Sequence, residues 1–173
     1  IKVFPDDIGV FSLLSLRFVA AMPLLIGLGW VLRGWDLIKI RNKKLLVYRM
    51  CVGHVAIMFW FLSVRHLSLG QATALTQASA IFVTMLAPIF LGERIGFFRW
   101  SAVLVGLLGV LMITNPFDGE LSIGVLFGIG SALSGALLAI TLRLLGKTEQ
   151  PISVALWHNG LGALIYPMFM YIF

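Results

Sequence analysis

Residues 70–100 read GQATALTQASAIFVTMLAPIFLGERIGFFRW, and the first two thirds of that stretch decide the fold. Residues 69–91 suffice to cross a ~30 Å hydrocarbon core as one helix. Yet Gln71, Thr73, Thr76, Gln77, Ser79 and Thr84 sit inside the run. Thr73, Thr76, Gln77, Ala80, Thr84 and Pro88 follow one another at steps of three or four, so they share a helical face, while Leu75, Phe82, Leu86 and Phe90 occupy others. A polar stripe against lipid is costly, so it is expected to face other helices or a water-filled cavity. Pro88 lacks an amide hydrogen, which frees the carbonyl of Thr84 and predicts a kink near the helix end; Gly92-Glu93-Arg94 then stops the helix. Taken alone, the threonines read first as helix-packing contacts. Gln77 favours a substrate cavity, because an unpaired amide near mid-span forfeits about 1–3 kcal/mol in desolvation.

Outward from that stretch, the whole chain is apolar. Hydrophobic residues make up 60% and charged residues only 12%, with a mean hydropathy of +1.03, whereas about a quarter of an ordinary soluble domain is charged. An all-α, polytopic membrane bundle is expected, with about six spans at residues 8–31, 45–64, 69–91, 98–115, 122–143 and 152–173. The net charge of +6 does not imply nucleic acid as a partner, since the cations fall in short loops between spans. The one cysteine, Cys51, excludes an intramolecular disulfide and offers no metal-site spacing. The chain opens on Ile1 and closes on Phe173 within an apolar run, so it is expected to be an internal piece of a longer protein.

Charge sorts the loops. Residues 33–44 hold Arg33, Lys39, Arg41, Lys43 and Lys44 against the single acid Asp36, the strongest cytoplasmic signal in the chain. Alternation then assigns 63–69 outside, 93–100 inside, 115–120 outside and 143–150 inside. With Arg49 counted beside its loop, ten Lys or Arg fall inside, Lys2 and Arg65 fall outside, and Arg17 lies within a span. Trp30, Trp35, Tyr48 and Trp100 sit near the expected cytoplasmic boundaries, where amphipathic rings are favoured.

Small residues mark expected packing seams: Gly106 and Gly109 in one span, and a ridge of Gly124, Gly128, Ser131, Gly135 and Ala139 in the next. A weak repeat pairs Pro23 with Pro167, Ile8 with Ile152 and Val10 with Val154. The two segments enter the membrane from opposite sides, as an inverted repeat requires.

Three ionisable residues inside spans are candidates for substrate contact. Arg17 is placed near the bilayer midplane, about 14 Å into its span at 1.5 Å per residue, and every Asp or Glu lies at a loop or helix end. An intramembrane cation of this kind pairs with carbonyls, an acid elsewhere, or an anionic group on a substrate. His54 and His158 can carry protons or bind substrate, or simply satisfy packing. Trp60 and Trp157 read as packing, and Arg49 as a boundary residue that snorkels to the surface. The substrate-binding set is thus Arg17, His54, Thr73, Thr76, Gln77, Thr84 and His158, with no catalytic or metal-ligating residue.

Leu16-Arg17-Phe18, the Ala- and Thr-rich run from Leu69 to Pro88, Leu91-Gly92-Glu93-Arg94 and the segment from Trp100 to Gly109 together resemble the EamA-type branch of the drug/metabolite transporter superfamily. The resemblance implies a ten-helix transporter of two inverted five-helix repeats, both termini cytoplasmic, around a central cavity for small organic solutes. Residues 1–115 would then carry the rest of the first repeat, helices two to five, and residues 116–173 the start of the second, helices six and seven. The function expected is secondary transport of a small metabolite, such as an amino acid, vitamin or nucleoside-like solute, across the bacterial inner membrane by alternating access. No cofactor is expected; the partners are the solute, the lipid bilayer and, as a further option, a second copy in a homodimer. A structural or regulatory membrane subunit is the alternative. An intramembrane enzyme ranks below both, because it needs paired acids, a His-Glu-x-x-His zinc site or an activated nucleophile. A carboxylate-based proton relay also finds no buried acid here.

Overall fold

The computed structural model describes residues 10–92, 95–114 and 122–172. These form helices α1 (Val10–Arg33), α2 (Lys43–His66), α3 (Leu69–Gln77), α4 (Ser79–Leu91), α5 (Phe97–Thr114), α6 (Ile123–Leu145) and α7 (Pro151–Ile172), with a single 3-10 turn at Gly34–Leu37. No strand occurs among the described residues. Four helical stretches are long and apolar enough to cross a bilayer, namely Ser12–Leu32, Lys43–His66, Leu69–Leu91 and Ile123–Leu145, and the apolar Phe97–Met112 is shorter. With α7, the helices coincide with the six apolar segments of the sequence, and the chain is a multi-pass helical membrane protein.

Local chemistry sets the helix ends. Gly34 adopts φ +55°, a conformation costly for any residue with a Cβ, and ends α1. Asn42 caps α2, its Oδ1 accepting the amide of Leu45 at 3.1 Å. Ser68 and Gln71 form a capping box at the start of α3, so the amide of Gln71 serves helix initiation. Gly92, at φ +66°, closes α4 with its amide donating to the Pro88 carbonyl. Glu93 and Arg94, expected to complete that stop, lie outside the described residues.

The expected single helix over 69–91 is interrupted at Ala78. The amide of Ala78 reaches back only three residues, to the carbonyl of Leu75 at 3.0 Å, and Ile81 bonds Ala78 in the same tight pattern at 2.9 Å. The α-helix continues through Pro88 for three more residues. The irregularity therefore lies one residue beyond Gln77, ten residues before the proline.

The chain divides into two compact units, residues 1–50 with 145–173, and residues 51–144. In the first, α1 and α7 pack antiparallel. Phe18 (2% exposed) sits against Gly162, where an added Cβ would lie 2.6 Å from the ring, and Met22 approaches Gly160. Leu46, Met50, Leu145 and Val154 form a buried apolar cluster at the end of the unit that carries residues 34–44. There the carboxylate of Glu149 accepts the amides of Arg41 and Asn42 at 2.9 and 2.8 Å. The indole of Trp157 donates to the Ile38 carbonyl at 3.2 Å. Two of the three connections that charge assigns to the cytoplasm thus meet, through Arg41, Asn42 and Glu149.

In the second unit α2 and α6 run antiparallel. The Ser63 hydroxyl donates to the Gly124 carbonyl at 3.0 Å and Ser131 to the Ala56 carbonyl at 3.2 Å. An added Cβ would lie 2.7 Å from His66 at Gly124, and 2.6 Å from Leu75 at Gly128. The ridge on α6 is a close-packed seam at these positions. Gly135 meets Ser79 only at ordinary contact distance, 3.4 Å, and Gly109 has nothing within 4 Å among the described residues. At Gly106 an added Cβ would lie 2.9 Å from Ile81.

Candidate functional site

The first unit assembles an aromatic cluster on the face of α7 formed by Val154, His158, Gly162 and Tyr166, which recur every four residues. Phe18 stacks on Tyr166 with centroids 5.2 Å apart and meets His158 edge-on at 5.8 Å. The glycine at 162 makes room for the Phe18 ring. Arg17 is exposed at the edge of this cluster, its guanidinium carbon 5.7 Å from the Phe18 centroid. Of the expected site residues, Arg17 and His158 therefore each lie beside the Phe18 ring, one on α1 and the other on α7. Arg17 is the eighth residue of α1, about 10 Å from Val10 and about 24 Å from Arg33. It makes no ion pair with an acid among the described residues.

Arg49 corrects the sequence reading. It was expected at the surface, snorkelling, but it is 8% exposed, and its Nε and Nη1 find no hydrogen-bond acceptor among the described residues. In the second turn of α2 its side chain turns into the packing around the helix instead of running along it towards the helix start. Ser15, one turn before Phe18, is likewise buried, and its hydroxyl finds no partner among the described residues.

The second unit holds the remaining candidates. Its packed side consists of Ala72, Leu75, Ala78 and Ala87, all buried. Thr73 and Gln77 point to the exposed side, and Thr76 and Thr84 are half-buried. The threonines satisfy their own hydroxyl protons: Thr73 donates to the Leu69 carbonyl at 2.8 Å, Thr76 to Ala72 at 2.9 Å and Thr84 to Ala80 at 2.9 Å. Such back-bonding leaves each hydroxyl oxygen as an acceptor. Gln77 makes no hydrogen bond among the described residues, so its amide retains both donors and the carbonyl. Thr84 lines a small cavity of about 150 Å³ with Ala80, Ile81, Arg99, Ala102 and Val103. His54 is half-buried on α2, apart from the threonine stripe in sequence and in helix.

No group of three or more His, Cys, Asp or Glu positioned for a metal exists among the described residues. The sequence analysis gives no site role to Arg49, Ser15, Phe18 or Tyr166. The four-residue step from His158 through Gly162 to Tyr166 was the signal available for the last.

The EamA-like transporter family matches residues 1–115. An uncharacterized transporter of Helicobacter pylori (strain J99) is 32% identical over 101 residues, 58% of this chain and 34% of its own length. A riboflavin transporter of Rhizobium johnstonii is 28% identical over 109 residues, 63% of this chain and 36% of its own. The pseudopaline exporter CntI of Pseudomonas aeruginosa is 28% identical over 126 residues, 72% of this chain and 44% of its own. The chain thus spans between a third and a half of the length of these relatives. No solved structure matches it significantly. With that family's model covering well over half of its residues, the chain belongs to the EamA-like transporter family.

Proposed function

We propose that the protein containing this chain is a secondary transporter that carries a small organic solute across the bacterial inner membrane by alternating access. The solute is an amino acid, a vitamin or a nucleoside-like compound that bears an anionic or zwitterionic group. The observation that carries the reading is a pair of guanidinium groups within helices, Arg17 and Arg49, neither in an ion pair with an acid among the described residues. An intramembrane charge with no acid partner among the described residues is a functional-site candidate by default, and a carboxylate or phosphate on a solute suits a guanidinium's donors. In the same unit His158 is held against Phe18. The other unit has a polar face of its own, where Thr73, Thr76 and Thr84 offer acceptors, Gln77 an acceptor and two donors, and His54 a ring nitrogen.

The division into a first repeat over 1–115 and a second from 116 is part of the same proposal. Placing Pro23 on Pro167 also places Phe18 on Gly162, and those two residues touch. Residues related by a two-fold axis meet their own equivalents only on that axis, so the contact supports an axis through the α1–α7 crossing. The loops at 33–44 and 143–150 belong on the cytoplasmic side by the Lys and Arg bias. Single cysteines placed there in a Cys51→Ser background are expected to label only from that side.

The test is solute counterflow in sealed vesicles containing the full-length protein, with labelled amino acids, riboflavin and nucleosides as probes. Saturable exchange of one class supports the carrier. A structural subunit or an enzyme gives no exchange.

A further inference from the structure

We propose that the first unit carries a binding site for one anionic phospholipid of the cytoplasmic leaflet, with the head group on the α1–α2 connection and an acyl chain along α1 and α7. Two adjoining grooves make the site. One, of about 670 Å³, is almost wholly apolar and runs along Met22, Ile26, Trp30, Leu161 and Leu164. The other, of about 710 Å³, opens beside it and is lined by Lys39, Arg41 and Lys43 together with Leu46 and Val47. Ile38, Met50 and Trp157 belong to both, so the two grooves are continuous.

Charge selects the occupant. Between residues 36 and 44 stand Lys39, Arg41, Lys43 and Lys44 against one acid, Asp36, which pairs with Lys39 at 2.6 Å. The other nearby acid, Glu149, is 8% exposed and already holds the amides of Arg41 and Asn42. That bond, and the one from Trp157 to the Ile38 carbonyl, fix the connection across the start of α7, so the cations stand over the mouth of the apolar groove. A long apolar channel ending in several cations and an indole matches an acyl chain ending in a phosphodiester, and basic pockets at the cytoplasmic ends of membrane helices bind such head groups. A zwitterionic lipid fits the channel but leaves the cations without a net counter-charge.

The experiment uses the full-length protein, delipidated in neutral detergent, with native mass spectrometry and melting temperature as readouts. Phosphatidylglycerol is expected to bind in preference to phosphatidylcholine, with one tightly held molecule per chain and a raised melting temperature. Lys39→Gln, Arg41→Gln and Lys43→Gln are at exposed positions and are expected to leave the fold intact while weakening phosphatidylglycerol about fivefold for each cation removed. A photo-reactive residue in place of Ile38 is expected to cross-link to lipid. Equal retention of the two lipids, unchanged phosphatidylglycerol binding in the triple variant, competition by glycerol phosphate as strong as by the intact lipid, or cross-linking of position 38 to protein would each overturn the proposal.

Discussion

The two antiparallel helix pairs are built on opposite principles. Between α2 and α6, small residues bring backbones close: Gly124 and Gly128 leave no space for a Cβ, and two serine hydroxyls bond carbonyls across the seam. Between α1 and α7, one glycine accommodates a large ring, and Phe18, His158 and Tyr166 fill the crossing with Arg17 at its edge. Small-residue seams are how helices hold together in lipid, where no hydrophobic force drives them. Rings with polar tips beside a guanidinium give a seam that can also meet a polar solute. Glycine at a membrane helix contact therefore has two uses here, packing at Gly128 and seating a ring at Gly162.

Substitutions that act on one seam and spare the other sharpen the contrast. The largest effect is expected from Phe18→Ala, which empties a fully buried ring site and costs about 3–5 kcal/mol of stability, read as a lowered melting temperature with loss of folded protein. Gly128→Leu follows, since even its first carbon meets Leu75 at 2.6 Å. Overpacking of that kind costs about 1–3 kcal/mol and is expected to lower the yield of folded protein, while affinity in the surviving fraction stays unchanged. Normal folding of this variant would mean that the ridge is not a packing surface. Gln77→Leu removes an amide that makes no bond among the described residues, so melting should hold while solute binding weakens by about 0.5–1.5 kcal/mol, one hydrogen bond. Unchanged binding would remove Gln77 from the solute path. The smallest effect belongs to Gly109→Ala, which enters open space and should move stability by no more than about 0.5 kcal/mol. A large loss there would reveal a contact that α5 makes with helices beyond these residues.

The helices and their ends were legible because they depend on near neighbours in sequence. An apolar run of spanning length and the stop at Gly92 each act within a few residues; the Ser68–Gln71 box is as local, but it came from the structure. The Lys and Arg bias sets an expected orientation for the loops independently of packing, and labelling from the two sides is its test. What periodicity does not carry is which neighbour covers a face. Arg49 has the same spacing from its loop whether it reaches water or turns inward, and only the packing around α2 decided that it is buried. A threonine on a polar stripe looks available to a solute, yet Thr73, Thr76 and Thr84 give their protons to their own helix. The tight turn at Ala78 carries neither proline nor glycine to announce it.

That an intramembrane guanidinium receives the solute's charge is tested most directly by measuring binding and counterflow of the identified solute with purified full-length protein carrying Arg17→Gln. Arg17 is exposed and without an acid partner among the described residues, so the variant should melt like the parent. Loss of a charged hydrogen bond is expected to weaken an anionic or zwitterionic solute by about 1.5–3 kcal/mol, or about ten- to 150-fold, and to leave a neutral analogue nearly unchanged. Equal weakening of the charged solute and its neutral analogue, or unaltered binding of both, would contradict a charge-reading role for Arg17.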